Sequence, residues 1–206
     1  MGPPAIDDMQ VKVVEEVSKG GHRPYAFVIW LTGLPSSGKT TISHMLKLKL
    51  KQNGLNIEQL DGDVVRKELS PDLGFTKHDR DIHARRVVYL CKLLCRNGVP
   101  SIVSLISPYR DFRSFARSEI GNFIEVYVKC SLSTCIKRDV KGLYKKALNG
   151  EINDLTGLQD PYEEPLHPEI TVDTELETLE DIVNKVTLKV NELGYLKYCS
   201  YNPVSK

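Results

Sequence analysis

The octapeptide GLPSSGKT (Gly33–Thr40) fits G-x-x-x-x-G-K-[ST], the pattern of a loop that cradles nucleotide phosphates. Gly33 and Gly38 permit torsions that turn backbone N–H groups inward around phosphate oxygens. Lys39 reaches β- and γ-phosphates, and the hydroxyl of Thr40 suits Mg²⁺. Leu34, Pro35, Ser36 and Ser37 between them, and Thr41 after them, complete the candidate nucleotide site. Pro35 removes one amide donor and stiffens the turn, while the donors from Ser37 through Thr40 remain. Such a loop implies a bound triphosphate. It does not name the acceptor.

The acceptor must come from other residues at the same edge. LDGDVVRKEL places Asp61 and Asp63 on either side of a glycine, where two carboxylates could orient Mg²⁺ and take the proton of an attacking hydroxyl. A plainer reading makes Asp63 the N-cap of the next helix, and the two roles are compatible. Arg66, Arg80, Arg85 and Arg86 follow, then Arg110, Arg113 and Arg117. Guanidinium forks suit phosphate- or sulfate-like oxygens, but most arginines are solvated, so motif context must choose among these. ISPYRD sets Ser107, Tyr109 and Arg110 at a strand end, where Ser107 also reads as an ordinary turn before Pro108.

These residues need elements to position them. AFVIWLT (26–32) reads as a buried strand, 39–52 as a helix, and NIEQL (56–60) as a second strand. A long helix is predicted over 78–96, stopped by Asn97-Gly98, then a strand over 100–106 and a helix over 112–119. FIEVYVK (123–129) is a fourth strand, 131–137 begins a helix, EITVDT (169–174) is a fifth strand, and 178–193 a last helix. Strands alternating with helices predict an α/β fold: a three-layer P-loop architecture with a parallel sheet of about five strands. Residues 7–19 space apolar side chains like a short helix, so 1–25 is read as an N-terminal helical extension and linker. The interval 140–168 breaks the rhythm with three prolines in NDLTGLQDPYEEPLHP, and reads as a lid more than as a solvated loop.

Bulk properties narrow the partners. A chain of 206 residues supports one sizeable core, and a net charge of +1 gives no global attraction to nucleic acid or an anionic membrane. No apolar run reaches a membrane span, the N-terminus is not that of a signal peptide, and the 5 cysteines show no metal spacing. A cytoplasmic location is expected.

TGLPSSGKTT, LDGDVVRKEL, DLGFTKHDR, ISPYRD, RDVKGLYKKA, TGLQDPYEEP and VDT together resemble the adenylylsulfate kinases, in that family's order, from about residue 28 onward. The phosphate loop is shared by many families, whereas the other motifs in combination are specific to this one. The resemblance implies transfer of the γ-phosphate of MgATP to the 3′-hydroxyl of adenosine 5′-phosphosulfate (APS), within a domain spanning 26–206. It implies a homodimer using ATP and Mg²⁺. Asp61 becomes the candidate base, with Asp63 assisting metal or substrate, and Thr40 and Asp61 the candidate metal residues. Arg66 and Arg80 would grip the phosphosulfate, Phe75 would stack on the APS adenine, and Ile106 and Ser107 would lie against it. Ser107 also matches a serine described as a phosphoserine, although direct in-line transfer needs no such intermediate. Lys141 and Lys145 would approach the phosphates from the lid, with Leu155, Thr156 and Gly157 beside the adenine.

Three positions depart from the family pattern: Pro35 for a usual serine, His83 for a substrate-contacting asparagine, and Leu155 for a second stacking aromatic. Leucine lacks a π-face, so weaker APS binding is expected. The alternatives are another small-molecule P-loop kinase and a non-catalytic nucleotide-binding regulatory module. Retention of Gly38, Lys39, Thr40, Asp61 and Asp63 disfavours the second, and the lack of an N-K-x-D motif disfavours a GTPase switch.

Overall fold

The computed structural model describes residues 26–196; the helix expected over 7–19 lies outside them, as does Cys199. Five parallel strands form one sheet: β1 (Val28–Thr32), β2 (Glu58–Asp61), β3 (Ser101–Ser104), β4 (Phe123–Lys129) and β5 (Ile170–Asp173), in the order β2-β3-β1-β4-β5. The helices are α1 (Lys39–Gln52), α2 (Gly62–Leu69), α3 (Lys77–Arg96), α4 (Arg110–Ile120), α5 (Leu132–Arg138), α6 (Leu143–Leu148) and α7 (Leu179–Glu192).

Period-two alternation in β1 explains the layers. Phe27, Ile29 and Leu31 face one side and pack with Ile42, Leu46 and Leu50 of α1 and Ile182, Val186 and Val190 of α7. Val28 and Trp30 face the other side, against Val87, Val88 and Cys91 of α3 and Phe112 and Ala116 of α4. Both faces of β1 are therefore covered, which is why VIWLT is apolar at nearly every position.

The strand order places β1 between β3 and β4, and the chain leaves β1 and β3 toward opposite faces of the sheet. That divergence opens a crevice at the carboxyl ends of β1 and β3, where open α/β sheets bind ligands. Strand β3 is shorter than the expected 100–106: Leu105 N still bonds the Leu31 carbonyl at 3.2 Å, and the chain then turns at Ser107, whose φ is +39°. A second correction concerns helix capping. Strand β2 runs to Asp61 and α2 begins at Gly62, so the carboxylate of Asp61, not Asp63, accepts the helix N-terminal amide, from Asp63 N at 3.1 Å.

The interval 140–168 packs into a small core of its own with residues just before it. Tyr144 and Ala147 of α6 pack with Cys130, Cys135 and Leu155, and Tyr144 donates its hydroxyl to the Pro35 carbonyl at 3.1 Å.

Candidate active site

A cavity of about 660 Å³ opens along the crevice, within the range of small-molecule sites. One end is the phosphate loop. Gly38 has a φ of +105° and stands at the N-terminus of α1, so the loop turns straight into the helix dipole. Gly33 lies against β4: a Cβ there would sit 2.5 Å from the Val128 carbonyl oxygen. The Lys39 ammonium donates to the carbonyls of Gly33 (2.9 Å) and Leu34 (2.7 Å) and approaches Ser37 Oγ at 3.4 Å. Burial, with Lys141 nearby, pulls its pKa from the ordinary 10.5 to about 7, against the opposing pull of Cys135, Asp61 and Cys130. A cation so placed lacks a strong anionic partner, which is what a phosphate supplies.

Beside the loop, Thr40 donates its hydroxyl to Asp61 Oδ2 at 2.9 Å. Asp63 pairs with Lys141, which comes from the interval 140–168 and also lines the cavity. The other end is built from side chains on α2, α3 and the turn between them. The Arg66 guanidinium lies 4.4 Å from the centroid of Phe75 and donates to the Gly74 carbonyl. Burial and the neighbouring Arg80 cation both lower the pKa of Arg66, which marks a positive pocket with room for an anion. Arg80 reaches the lid, donating to the Thr156 hydroxyl and the Asp154 carbonyl and lying 3.5 Å from Asp160. His83 lines the same end.

Pro35, Ser36, Thr41 and Ile106 also line the cavity. Seven of the expected residues do not: Gly33, Leu34, Ser37, Lys145, Leu155, Thr156 and Gly157. Lys145 is exposed and its backbone N–H is bonded to Asp139 at the N-terminus of α6. Leu155 is buried in a small apolar cluster with Tyr144, Ala147, Cys130 and Cys135. Gly157 abuts the Leu34 side chain, where a Cβ would stand at 2.8 Å, so it supports the loop from behind.

Ser107 lines the cavity, but its hydroxyl is engaged. It accepts from Trp30 Nε1 at 3.0 Å and donates to Thr32 Oγ1 at 3.1 Å, and Thr32 is 2.8 Å from the Tyr162 hydroxyl. Arg113, buried and paired with Glu125 at 2.8 Å, clamps the Ser107 carbonyl at 2.6 Å and the Glu163 carbonyl at 2.5 Å. This clamp ties the β3 edge to the lid, and sequence reasoning missed it. Arg113 was only one of the seven arginines singled out above, and its partner Glu125 sits inside a strand that otherwise reads as core. Arg138 was also missed. It closes α5 and donates to the hydroxyl and carbonyl of Thr174 at 2.9 and 2.8 Å, beside Gly38. The VDT motif carried the signal for Thr174; nothing in the sequence paired it with Arg138.

The adenylylsulphate kinase family model matches residues 25–173. The chain is 57% identical over 168 residues to the adenylyl-sulfate kinase of Rippkaea orientalis, covering 82% of this chain and 93% of that protein. It is 54% identical over 170 residues to the probable adenylyl-sulfate kinase of Pyrococcus abyssi, covering 82% and 98% respectively. The Mycobacterium tuberculosis APS kinase, solved in complex with AMPPNP and APS, superposes with a TM-score of 0.79 at 34% identity, over 82% of this chain and 99% of that one. With its phosphate loop, paired aspartates and arginine-lined far end in one crevice, the chain belongs to the adenylylsulphate kinase family.

Proposed function

We infer that the protein is an adenylylsulfate kinase, which moves the γ-phosphate of ATP to the 3′-hydroxyl of APS and releases 3′-phosphoadenosine 5′-phosphosulfate and ADP. The observation that carries this reading is the continuity of one cavity from Lys39 and Thr40 to Arg66, Phe75 and His83. Donor and acceptor nucleotides then meet end to end, with Asp61 at the junction. Positioning of this kind supplies much of the rate in phosphoryl transfer.

In this reading Gly33–Thr41 wraps the donor phosphates, and Lys39 exchanges loop carbonyls for phosphate oxygens. Thr40 and Asp61 present adjacent hard oxygens, a hydroxyl and a carboxylate, which suit Mg²⁺ bound through few protein ligands and the phosphates themselves. When bound, the ion neutralises charge on the transferring group. Asp61 accepts the proton of the 3′-hydroxyl, and Asp63 holds Lys141 of the lid near the phosphates. Arg66 and Arg80 bind the phosphosulfate. Phe75 is 61% exposed with Arg66 on one face, leaving its other face for the adenine. Ser107, with its hydroxyl spent on Trp30 and Thr32, shapes the β3 edge and carries no phosphoryl group. Residues 140–168 act as the lid, and the active form is a homodimer, as light scattering on the purified chain will test.

Coupled ADP release with MgATP, with and without APS, tests the reading, run beside AMP, shikimate and gluconate as alternative acceptors. APS-dependent turnover is expected. Its absence, or preference for another acceptor, would overturn the assignment.

A further inference from the structure

His83 stands where the family pattern has asparagine, and its surroundings give it a defined chemical state. The residue is only 4% exposed and lines the acceptor end of the cavity. Its Nδ1 is 2.9 Å from Oγ of Ser70, which is itself 1% exposed and lies behind the cavity wall. Nε2, on the opposite edge of the ring, has no partner among the described residues. A buried ring nitrogen without a partner is costly unless a ligand takes it.

The ring is neutral in the free protein. Burial, then the Arg66 cation of α2 and the Arg86 cation of α3, lower its pKa from 6.5 to about 4. Arg86 is in turn held by Asp72, with contacts of 2.7 and 2.8 Å. In a neutral imidazole one nitrogen donates and the other accepts, and the partner of one fixes the role of the other. Were Nδ1 to carry the proton, Ser70 would be left with a buried O–H and no acceptor, since His83 is its one side-chain partner among the described residues. With Ser70 donating to Nδ1, that donor is used and the ring proton sits on Nε2.

We propose that Ser70 is a positioning residue that holds His83 as its Nε2–H tautomer, and that this N–H donates to an anionic oxygen of the phosphosulfate between Arg66 and Arg80. The proposal rests on the acceptor-site reading given above and deepens it. The chemistry favours a neutral donor there. A third cation would be repelled by two guanidiniums, and the opposite tautomer would aim a lone pair at an anion. Ser70 was not visible as a functional residue in the sequence, because its link to His83 spans 13 positions and two helices.

The direct test is ¹⁵N–¹H NMR of the imidazole nitrogens of the full chain at pH 7, with His83 assigned by its loss in His83→Gln. The Nε2–H pattern is expected in the free protein, with its proton resonance moving on addition of APS. Kinetics supply the second arm. His83→Phe is expected to raise the KM for APS on the order of tenfold, as for loss of a hydrogen bond to a charged group. Glutamine, which places an amide N–H near the Nε2 position, should raise it no more than about threefold. Ser70→Ala should fall between them, about threefold to tenfold, with the KM for ATP within about twofold in all three. An Nδ1–H or doubly protonated ring in the free protein overturns the proposal. So does an APS KM that is unmoved in both Ser70→Ala and His83→Phe, or equal in the glutamine and phenylalanine variants. Failure of the wild-type chain to release ADP in response to APS would overturn the functional reading instead, and the tautomer would still be measurable.

Discussion

The two ends of the cavity are built in different ways. The donor end is main chain: glycine torsions, loop carbonyls that accept from Lys39, and a helix N-terminus, all braced by β4 behind Gly33 and by Tyr144 above Pro35. The end proposed for the acceptor is side chain: Arg66, Phe75, Arg80 and His83 project from two helices and the turn between them, and Arg80 takes partners from the interval 140–168. A backbone cradle recognises any triphosphate, whereas a side-chain pocket can be tuned to one acceptor. On the function proposed above, the contrast puts the common chemistry of the fold at the main-chain, rigid end and substrate identity at the side-chain, adaptable end.

Several variants would break or sharpen that contrast. The largest effect is expected at the rigid end, where Lys39→Ala should lower kcat/KM on the order of a thousandfold while thermal stability is kept. A melting curve beside steady-state kinetics checks both halves of that statement. Asp61→Asn, at the junction, should cost on the order of a hundredfold in kcat, and more than Asp63→Asn, whose carboxylate is held by the lid. Equal losses in the two variants would remove the base assignment from Asp61. At the adaptable end, Arg80→Ala should raise the KM for APS about thirtyfold and speed hydrogen exchange over residues 154–160, since one side chain serves both substrate and lid. Ser107→Ala should cost less than about tenfold, because its hydroxyl braces the edge and does not carry phosphate.

The smallest effect is a proton. Lys39 titrates at about 7 in the free fold against 10.5 ordinarily, so between those values the unfolded chain binds more protons than the folded one. Its contribution to stability therefore rises with pH across that window. A bound triphosphate favours the charged lysine and raises its pKa again. ATP binding at pH 8 should then take up as much as about one proton, read by calorimetry in two buffers of different ionisation enthalpy. Lys39→Ala should abolish the uptake.

Much of the molecule was legible before its structure. The strand over 123–129 and the helix over 39–52 appear with the boundaries expected, because continuous apolar runs and capped amphipathic periods leave few alternatives. Helix α3 begins at Lys77, one residue before the expected start, with Thr76 accepting from Asp79 N as its cap. Misreadings fell where local chemistry allowed two outcomes. Asp61 and Asp63 are both good caps, and only the end of β2 selects Asp61. Leu155 could face a ligand or an anchor, and only the fold of the lid over Tyr144 sends it inward.

The sequence by itself determined the parallel α/β sheet, the phosphate cradle and the group of motifs that mark the family. Each is a local pattern in which torsional freedom, periodicity or spacing acts over a few residues. Tertiary structure alone decided the Arg113–Glu125 clamp on Ser107, the Arg138–Thr174 contact, the latch from Arg80 to the lid and the Ser70–His83 pair. Those contacts join residues 6 to 80 positions apart, through polar side chains whose roles depend on which neighbour reaches them. A one-dimensional pattern cannot encode that choice, because hydrogen-bonding groups on separate elements acquire partners only once the core has brought those elements together.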